Sequence, residues 1–155
     1  MPVTSDREYD ERLGVPLRWW VQGTMLVASL WLAVVVALPG LAAWIVTALA
    51  LGLLTLAFLS YGSARIRVAD GALRAGRAHI DATHVGRATP LDAEESRRVA
   101  GRDADVRAYL LLRPYLKRAV RVEITDPADP APYWLLSTRH PERLARAISE
   151  LHGAP

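Results

Sequence analysis

The sequence from residue 19 to residue 64 reads WWVQGTMLVASLWLAVVVALPGLAAWIVTALALGLLTLAFLSYGSA. These 46 consecutive residues contain no Asp, Glu, Lys or Arg, whereas the other 109 residues of the chain carry all 35 charged side chains. A helix needs about 20 apolar residues to cross the core of a bilayer. The stretch is long enough for two such helices, which argues against an ordinary soluble globular protein.

Two apolar segments of this length lie at about residues 19–38 and 41–60, separated by Pro39-Gly40. Pro-Gly is a strong turn signal, and so short a turn makes the two helices antiparallel neighbours. The sequence therefore predicts a transmembrane helical hairpin at residues 19–60, with an N-terminal cytoplasmic segment at 1–18 and a cytoplasmic domain at 64–152. Within the first segment, Tyr9 to Pro16 is predicted as an amphipathic approach to the membrane, with Leu13 and Val15 as its apolar residues.

Cleavage of the first span as a signal peptide is disfavoured, because residues 1–18 hold four acidic and three basic side chains and the apolar run exceeds a signal core of about 7–15 residues. Basic residues flank both outer ends of the hairpin, and its turn has none; they are Arg7, Arg12, Arg18, Arg65, Arg67, Arg74 and Arg77. The positive-inside rule then predicts a multi-pass protein of the cytoplasmic (inner) membrane with both termini in the cytoplasm.

The composition of the chain excludes several classes of site. The absence of cysteine excludes a disulfide framework, an iron–sulfur site, a thiolate zinc site and a cysteine nucleophile. Of the 19 basic residues 18 are Arg, so the net charge of +3 reflects an arginine-rich composition more than nucleic-acid recognition. We therefore expect no nucleic-acid partner.

The cytoplasmic part is predicted to be a small α+β domain. Its predicted strands are Arg65–Val68, Ala72–Arg74, Arg77–Ile80, His84–Leu91, Arg107–Leu112, Val120–Thr125 and Tyr133–Thr138, with Asp70-Gly71 as a hairpin turn. The apolar run at Tyr109–Leu112 predicts a central strand. A short helix is predicted at about Ala93–Ala100, where acids occupy the first turn and arginines the last, and an amphipathic helix begins at Pro141. This order predicts a PH-like (pleckstrin-homology-like) curved sheet or barrel closed by the C-terminal helix.

Two groups of charged residues are candidate sites in this domain. The first is a polar loop with Arg102, Asp103, Asp105 and Arg107. This loop could be functional, as a polar recognition site or an acid/base pair. The favoured interpretation is structural: neighbouring arginines neutralise the aspartates in a pinned loop. The second group is a basic segment that either binds lipid or a partner, or is simply a solvated hairpin end; both interpretations stay open. Its residues are Arg113, Tyr115, Leu116, Lys117 and Arg118.

The sequence provides no further signal for chemistry. It contains no phosphate-binding glycine loop and no nucleophile elbow, and its four histidines lack a metal-ligand spacing. His79 and Asp81 share one face of a predicted strand but have no third ligand. We therefore expect no cofactor, no metal and no catalytic residue.

Several motifs along the chain resemble the domain of unknown function 3093 family. They are Glu11-Arg12-Leu13, Val15-Pro16, Trp19-Trp20, the run from Asp70 to Arg77, Gly101–Asp105, Arg113-Pro114, Asp126–Pro130, Pro132–Leu135 and Ser137–Arg139. The similarity extends from about Tyr9 to Leu151, and the stretch His79–His84 matches least well. The resemblance implies an actinobacterial two-span membrane protein with a cytoplasmic domain and no established activity.

Three functions compete at this point. The first is a non-enzymatic, membrane-anchored PH-like adaptor that binds a protein partner or inner-leaflet lipid headgroups. The second is a small accessory subunit or stabiliser of a larger membrane complex, acting through the hairpin. The third and weakest is an enzyme that uses Asp103 and Asp105. The expected partners are the lipid bilayer and either a protein partner or further copies of the chain in a homo-oligomer.

Overall fold

The computed structural model describes residues 8–38 and 40–152, and the chain divides into two compact units. One unit is the helical hairpin at Gly14–Ser63. The other, the sheet domain, combines the described residues 8–13 and 64–152. The hairpin is thus inserted into the sheet domain, between two of its strands.

The hairpin consists of α1 (Leu17–Ala37) and α2 (Leu41–Tyr61). Both helices are long and apolar enough to cross a membrane, and their large apolar side chains are mostly exposed. They lie within two residues of the predicted spans. Of the predicted Pro39-Gly40 turn, Pro39 lies outside the described residues, and Gly40 has a positive φ of 74° that favours glycine.

Aromatic rings and one glycine mediate the packing of α1 on α2. Trp20 meets Phe58 edge-on at a centroid distance of 5.1 Å. A Cβ atom at Gly23 would lie 3.0 Å from the side chain of Leu54, so the glycine allows the two helices to approach closely.

The first sheet contains four antiparallel strands in the order β1-β2-β3-β4. They are β1 (Tyr9–Arg12), β2 (Arg65–Ala69), β3 (Ala72–Ala75) and β4 (Ala78–Asp81). The predicted turn between β2 and β3 is present, with φ of 53° at Asp70 and 69° at Gly71, as a type I′ turn requires.

Strand β1 differs from the amphipathic membrane approach predicted for Tyr9–Pro16. The segment Tyr9–Arg12 is an edge strand paired with β2, and Leu13 is completely buried in the core. The reason is the alternation of buried and exposed residues along β1, which a sheet with one covered face requires. Residues 8–13 therefore belong to the sheet domain and not to a separate N-terminal segment.

The second sheet has the order β5-β7-β8-β6. Its strands are β5 (Val85–Leu91), β6 (Tyr109–Leu111), β7 (Ala119–Ile124) and β8 (Tyr133–Ser137), and only the β6–β8 pairing is parallel. A 3-10 helix covers Ala82–His84, α3 covers Ala93–Ala100, and α4 covers Pro141–His152.

The predicted central position of Tyr109–Leu112 is wrong, because β6 is a three-residue edge strand and Leu110 is 39% exposed. The central apolar strand is β8, in which every residue is buried. The prediction of α3 is confirmed. Its N-terminus carries a capping box, in which the side chains of Asp92 and Glu95 each accept the other residue's backbone N–H.

Both sheets contribute to one hydrophobic core that α4 covers. Ile66 and Leu73 of the first sheet, Val120 and Leu136 of the second, and Leu144 of α4 are all completely buried in it. The predicted small α+β domain with a C-terminal helix is confirmed. The barrel alternative is wrong, since the described strands form two separate four-stranded sheets and no closed barrel.

Candidate functional site

The candidate site lies where β1 and β2 pair, beside the two points at which the sheet domain connects to the hairpin. Arg12 is directly opposite Arg65 in the antiparallel register. One residue further on, the backbone N–H of Leu13 donates to the carbonyl of Ala64 at 2.9 Å. Backbone pairing therefore holds the two ends of the inserted segment side by side.

Glu11 is a nearly buried carboxylate at this site, with 8% of its surface exposed, because it shares the inward face of β1 with Tyr9. The Tyr9 hydroxyl donates to Glu11 Oε2 at 2.5 Å, and the Thr138 hydroxyl donates to the same oxygen. The backbone N–H of Arg139 donates to Glu11 Oε1 at 3.0 Å. These four residues form what we call the Glu11 network, and its three donors offset the cost of burying a charge.

The charge of Glu11 is balanced by Arg139, whose guanidinium Nη1 lies 3.6 Å from Oε1 and donates to the carbonyl of Arg12 at 3.1 Å. Burial raises the pKa of the Tyr9 phenol above its ordinary value, and the hydrogen bond to Glu11 raises it further, so the phenol stays neutral and remains a donor. The Glu11 network therefore ties β1 to the segment between β8 and α4.

The basic segment predicted as a binding site lies at this same end of the sheet domain. The hydroxyl of Tyr115 donates to the carbonyl of Leu13 at 2.6 Å, and Arg118 Nη2 donates to the carbonyl of Arg139 at 2.7 Å. Leu116 is partly buried and packs against the core. The hydrogen bond of Tyr115 and the packing of Leu116 thus engage both side chains with the domain's own structure.

The other members of that segment divide into buried and exposed groups. Arg113 is half-buried; its backbone N–H donates to Ser137 Oγ at 3.1 Å and its guanidinium donates to the carbonyl of Leu112 at 3.0 Å. Lys117 and Arg118 are exposed. Lys117 and Arg118 are thus the exposed cations of this segment. Its binding of lipid or a partner stays a prediction.

Exposed basic residues from three parts of the chain gather at this end of the domain. Arg12 and Arg65 face each other across β1 and β2, and the Gly76 N–H donates to the Arg65 carbonyl at 2.9 Å, which brings the turn containing Arg77 to the same end of the sheet. We call the five exposed cations the junction basic cluster: Arg12, Arg65, Arg77, Lys117 and Arg118.

Acidic residues occupy the opposite end of the first sheet. Asp70 lies in the β2–β3 turn, and Asp81 pairs with Ala72 at the last register position of β3 and β4. Between the two ends, Arg67 is directly opposite both Asp10 and Arg74 and forms an ion pair with Glu8. The exposed face of this sheet is thus basic towards the chain connections with the hairpin and acidic away from them.

The predicted polar loop is a set of local contacts. The carboxylate of Asp105 accepts the Arg107 backbone N–H at 2.8 Å and lies 3.4 Å from its guanidinium, and these hydrogen bonds lower the pKa of that carboxyl. The Asp105 backbone N–H donates to the Tyr133 hydroxyl at 3.0 Å. Asp103 lies 3.9 Å from the guanidinium of Arg98 on α3, not of Arg102. Both aspartates thus lie beside arginines, and the role of the loop stays a prediction.

The histidines do not converge. His79 and Asp81 are both exposed on β4, and His152 hydrogen-bonds through Nε2 to the carbonyl of Val85. Over residues 8–38 and 40–152 there is no group of three His, Cys, Asp or Glu side chains that could hold a metal ion.

Sequence reasoning missed the Glu11 network. The available signal was the period-2 alternation of Tyr9, Glu11 and Leu13 with Asp10 and Arg12, which is typical of a strand with one buried face. A buried carboxylate on such a face needs donors. One donor, Tyr9, is two residues away on the same strand, but the other two come from residues 127 and 128 positions away, and no local pattern points to them.

The fold and the site define a class of protein in which a hairpin of two long apolar helices is inserted between the first two strands of a small α+β domain. The chain belongs to the family described as Protein of unknown function (DUF3093), whose model matches residues 8–148. No curated protein and no solved structure matches the chain.

Proposed function

We propose that this chain is an integral membrane protein whose hairpin crosses the cytoplasmic membrane twice and whose sheet domain is a non-enzymatic binding module on the cytoplasmic side. The module acts as an adaptor that binds a protein partner or inner-leaflet lipid headgroups. The observation that carries this proposal is the pairing of β1 with β2 on either side of the hairpin.

The β1–β2 pairing supports a topology with both termini on one side. Arg12 precedes the first long helix and Arg65 follows the second, yet the two residues are direct partners in one sheet. A sheet cannot form through a bilayer, so helices that span must return the chain to the side from which it left. The arginines beside the hairpin favour the cytoplasm as that side.

The exposed surface of the helices supports insertion into a bilayer. Leu26, Val36 and Leu53 are 71%, 87% and 67% exposed, and such side chains continue around both helices. A water-soluble chain rarely leaves so large an apolar surface uncovered, whereas lipid tails solvate it.

The sheet domain supports the binding role by its architecture. Two four-stranded sheets share a core covered by a C-terminal helix, and we interpret this α+β arrangement as a PH-like module. In the polar loop Asp105 is held by Arg107 and Asp103 lies beside Arg98 of α3, and Glu11 is held by three donors, so we infer that none of these carboxylates is poised for proton transfer.

The topology is tested by single-cysteine labelling, for which the chain is suited because it has no native cysteine. Leu41→Cys places a thiol at the start of α2, and Ala128→Cys places one in the loop between β7 and β8. A membrane-impermeant maleimide should label Leu41→Cys in intact cells, and Ala128→Cys only after permeabilisation. The reverse pattern, or labelling of both in intact cells, would exclude the proposed orientation.

The adaptor role is tested by crosslinking and mass spectrometry in the native membrane, with the hairpin exchanged for an unrelated two-span hairpin as the comparison. An adaptor keeps its partners or lipids after the exchange, because its sheet domain is intact. An accessory subunit loses them.

The accessory-subunit alternative is favoured by one feature of the hairpin. A cavity of about 330 Å³ lies between α1 and α2; its lining residues are Thr24, Val27, Ala28, Trp31, Trp44, Thr47 and Leu51. Within the described part of the chain, the buried indole Nε1–H of Trp31 has no hydrogen-bond acceptor. A helix from another protein or a second copy could fill this cavity and provide an acceptor, and Trp31→Phe would then weaken recovery of that partner.

A further inference from the structure

The junction basic cluster concentrates charge where a sheet would otherwise avoid it. Arg12 and Arg65 are direct partners in an antiparallel pair, and like charges in that position destabilise a sheet. The only acid that the structure places against either guanidinium, among the described residues, is Asp10, at 4.0 Å from Arg65. The side chain of Arg65 is still 60% exposed. This charge is available to an external anion.

The position of the cluster along the chain limits where that anion can be. Arg12 is five residues from the start of α1, and Arg65 is four residues from the end of α2. An extended chain spans about 3.3–3.6 Å per residue, so both backbones stay within roughly 20 Å of the helix ends. The acidic end of the sheet lies at the far end of the same strands.

We propose that the junction basic cluster binds the headgroups of anionic phospholipids in the leaflet that surrounds the hairpin. This inference rests on the proposed function and names its ligand. An anionic leaflet attracts basic residues near its surface, and guanidinium groups form paired hydrogen bonds with phosphate oxygens. The cluster combines the predicted Lys117 and Arg118 with three arginines that the sequence alone had related only to topology.

The test compares the full-length wild-type protein with its variants, each in nanodiscs that contain equal amounts of phosphatidylglycerol and phosphatidylcholine. Native mass spectrometry of the protein released from the nanodiscs measures the ratio of the two lipids that stay bound to it. Arg65→Gln/Arg77→Gln and Lys117→Gln/Arg118→Gln each remove two charges from the cluster. The matched control, Arg87→Gln/Arg146→Gln, removes two exposed arginines from β5 and α4.

Wild-type protein should retain phosphatidylglycerol preferentially. In each cluster variant the ratio of bound phosphatidylglycerol to phosphatidylcholine should fall about 25-fold, because two basic residues are removed and each contributes a factor of about five. The control should keep the preference, and added salt should reduce it for the wild type. Circular dichroism of each variant confirms that the fold is retained.

Equal lipid ratios for wild type and all variants would overturn the inference, as would a loss in the control as large as in the cluster variants. If crosslinking then captured an acidic protein at the cluster, the proposed adaptor role would stand without the lipid ligand. A reversed orientation in cysteine labelling would refute the proposed function itself, whatever the lipid ratios.

Discussion

Removal of the Glu11 carboxylate should release β1 from the sheet domain. In Glu11→Ala, the Tyr9 hydroxyl, the Thr138 hydroxyl and the Arg139 backbone N–H all lose their acceptor. A buried polar group left without a partner costs about 1–3 kcal/mol. The hydroxyls of Tyr9 and Thr138 are 3.0 Å apart and can bond to each other, so we expect a net loss of about 3 kcal/mol.

The loss should be local, because β1 is an edge strand that pairs with β2 alone. Native-state hydrogen exchange of the full-length protein in nanodiscs measures it through the amides of β1 and β2. A change of about 3 kcal/mol in the opening free energy corresponds to roughly 100-fold faster exchange. Glu11→Gln keeps one carbonyl acceptor and should fall between wild type and Glu11→Ala.

Asp10→Ala is the matched control on the same strand. Its carboxylate points to the exposed face, lies 4.0 Å from Arg65 and is 43% exposed. Exposed ion pairs contribute little, so exchange should rise by about twofold at most. Equal acceleration in Glu11→Ala and Asp10→Ala would refute the reasoning, because it would show that the Glu11 network does not hold β1.

Three further outcomes follow from single contacts. The pKa of Tyr9 is raised above its ordinary 10.0. The unfolded chain therefore releases this proton first, so stability should fall as pH rises above about 10, and Tyr9→Phe should reduce that slope in unfolding curves from about pH 9 to about pH 11. Asp92→Ala removes the capping box of α3 and should cost about 1 kcal/mol, seen as faster exchange in α3 alone. Gly71→Ala, at φ of 69°, should lower the thermal unfolding midpoint, whereas Ala128→Gly in a loop should change it little.

The elements that the sequence predicts correctly are those whose signals are local. The apolar length of each helix, the Asp70-Gly71 turn and the charge polarity of α3 all lie within a few consecutive residues. Each is stabilised mainly by its own hydrogen bonds or by its immediate neighbours. No knowledge of a distant partner is needed to predict them.

The elements that the sequence misplaces depend on distant partners. Strand β1 has four residues, and its partner β2 starts 53 positions after its last residue. Strand β6 is apolar on both faces and was therefore expected at the centre, but it pairs only with β8 and forms the edge. Strand order is decided by pairing and core packing, which a local pattern does not encode.

The candidate site shows the same division. The sequence places Lys117 and Arg118 in a basic segment for which lipid or partner binding and a solvated hairpin end are both open, and it uses Arg12 and Arg65 only for topology. Their proximity follows from the Tyr115–Leu13 and Arg118–Arg139 hydrogen bonds, which join segments about 100 and 21 residues apart. Charge content was thus predictable, and its convergence was not.

Because the hairpin is inserted between β1 and β2, we expect the helices to assist the folding of the sheet domain. A flexible connection of 50 residues would separate its ends by about 40 Å on average, and pairing β1 with β2 would have to overcome that entropy. Packed antiparallel helices hold their ends about 8–10 Å apart, close to the spacing of neighbouring strands at about 5 Å. Once the hairpin has formed, most of the entropic cost of bringing β1 and β2 together should already be overcome, before Leu13 and Ala64 form their backbone hydrogen bond. The Glu11 network then needs only to hold β1 against local opening, which is why its removal is expected to free this strand without unfolding the domain.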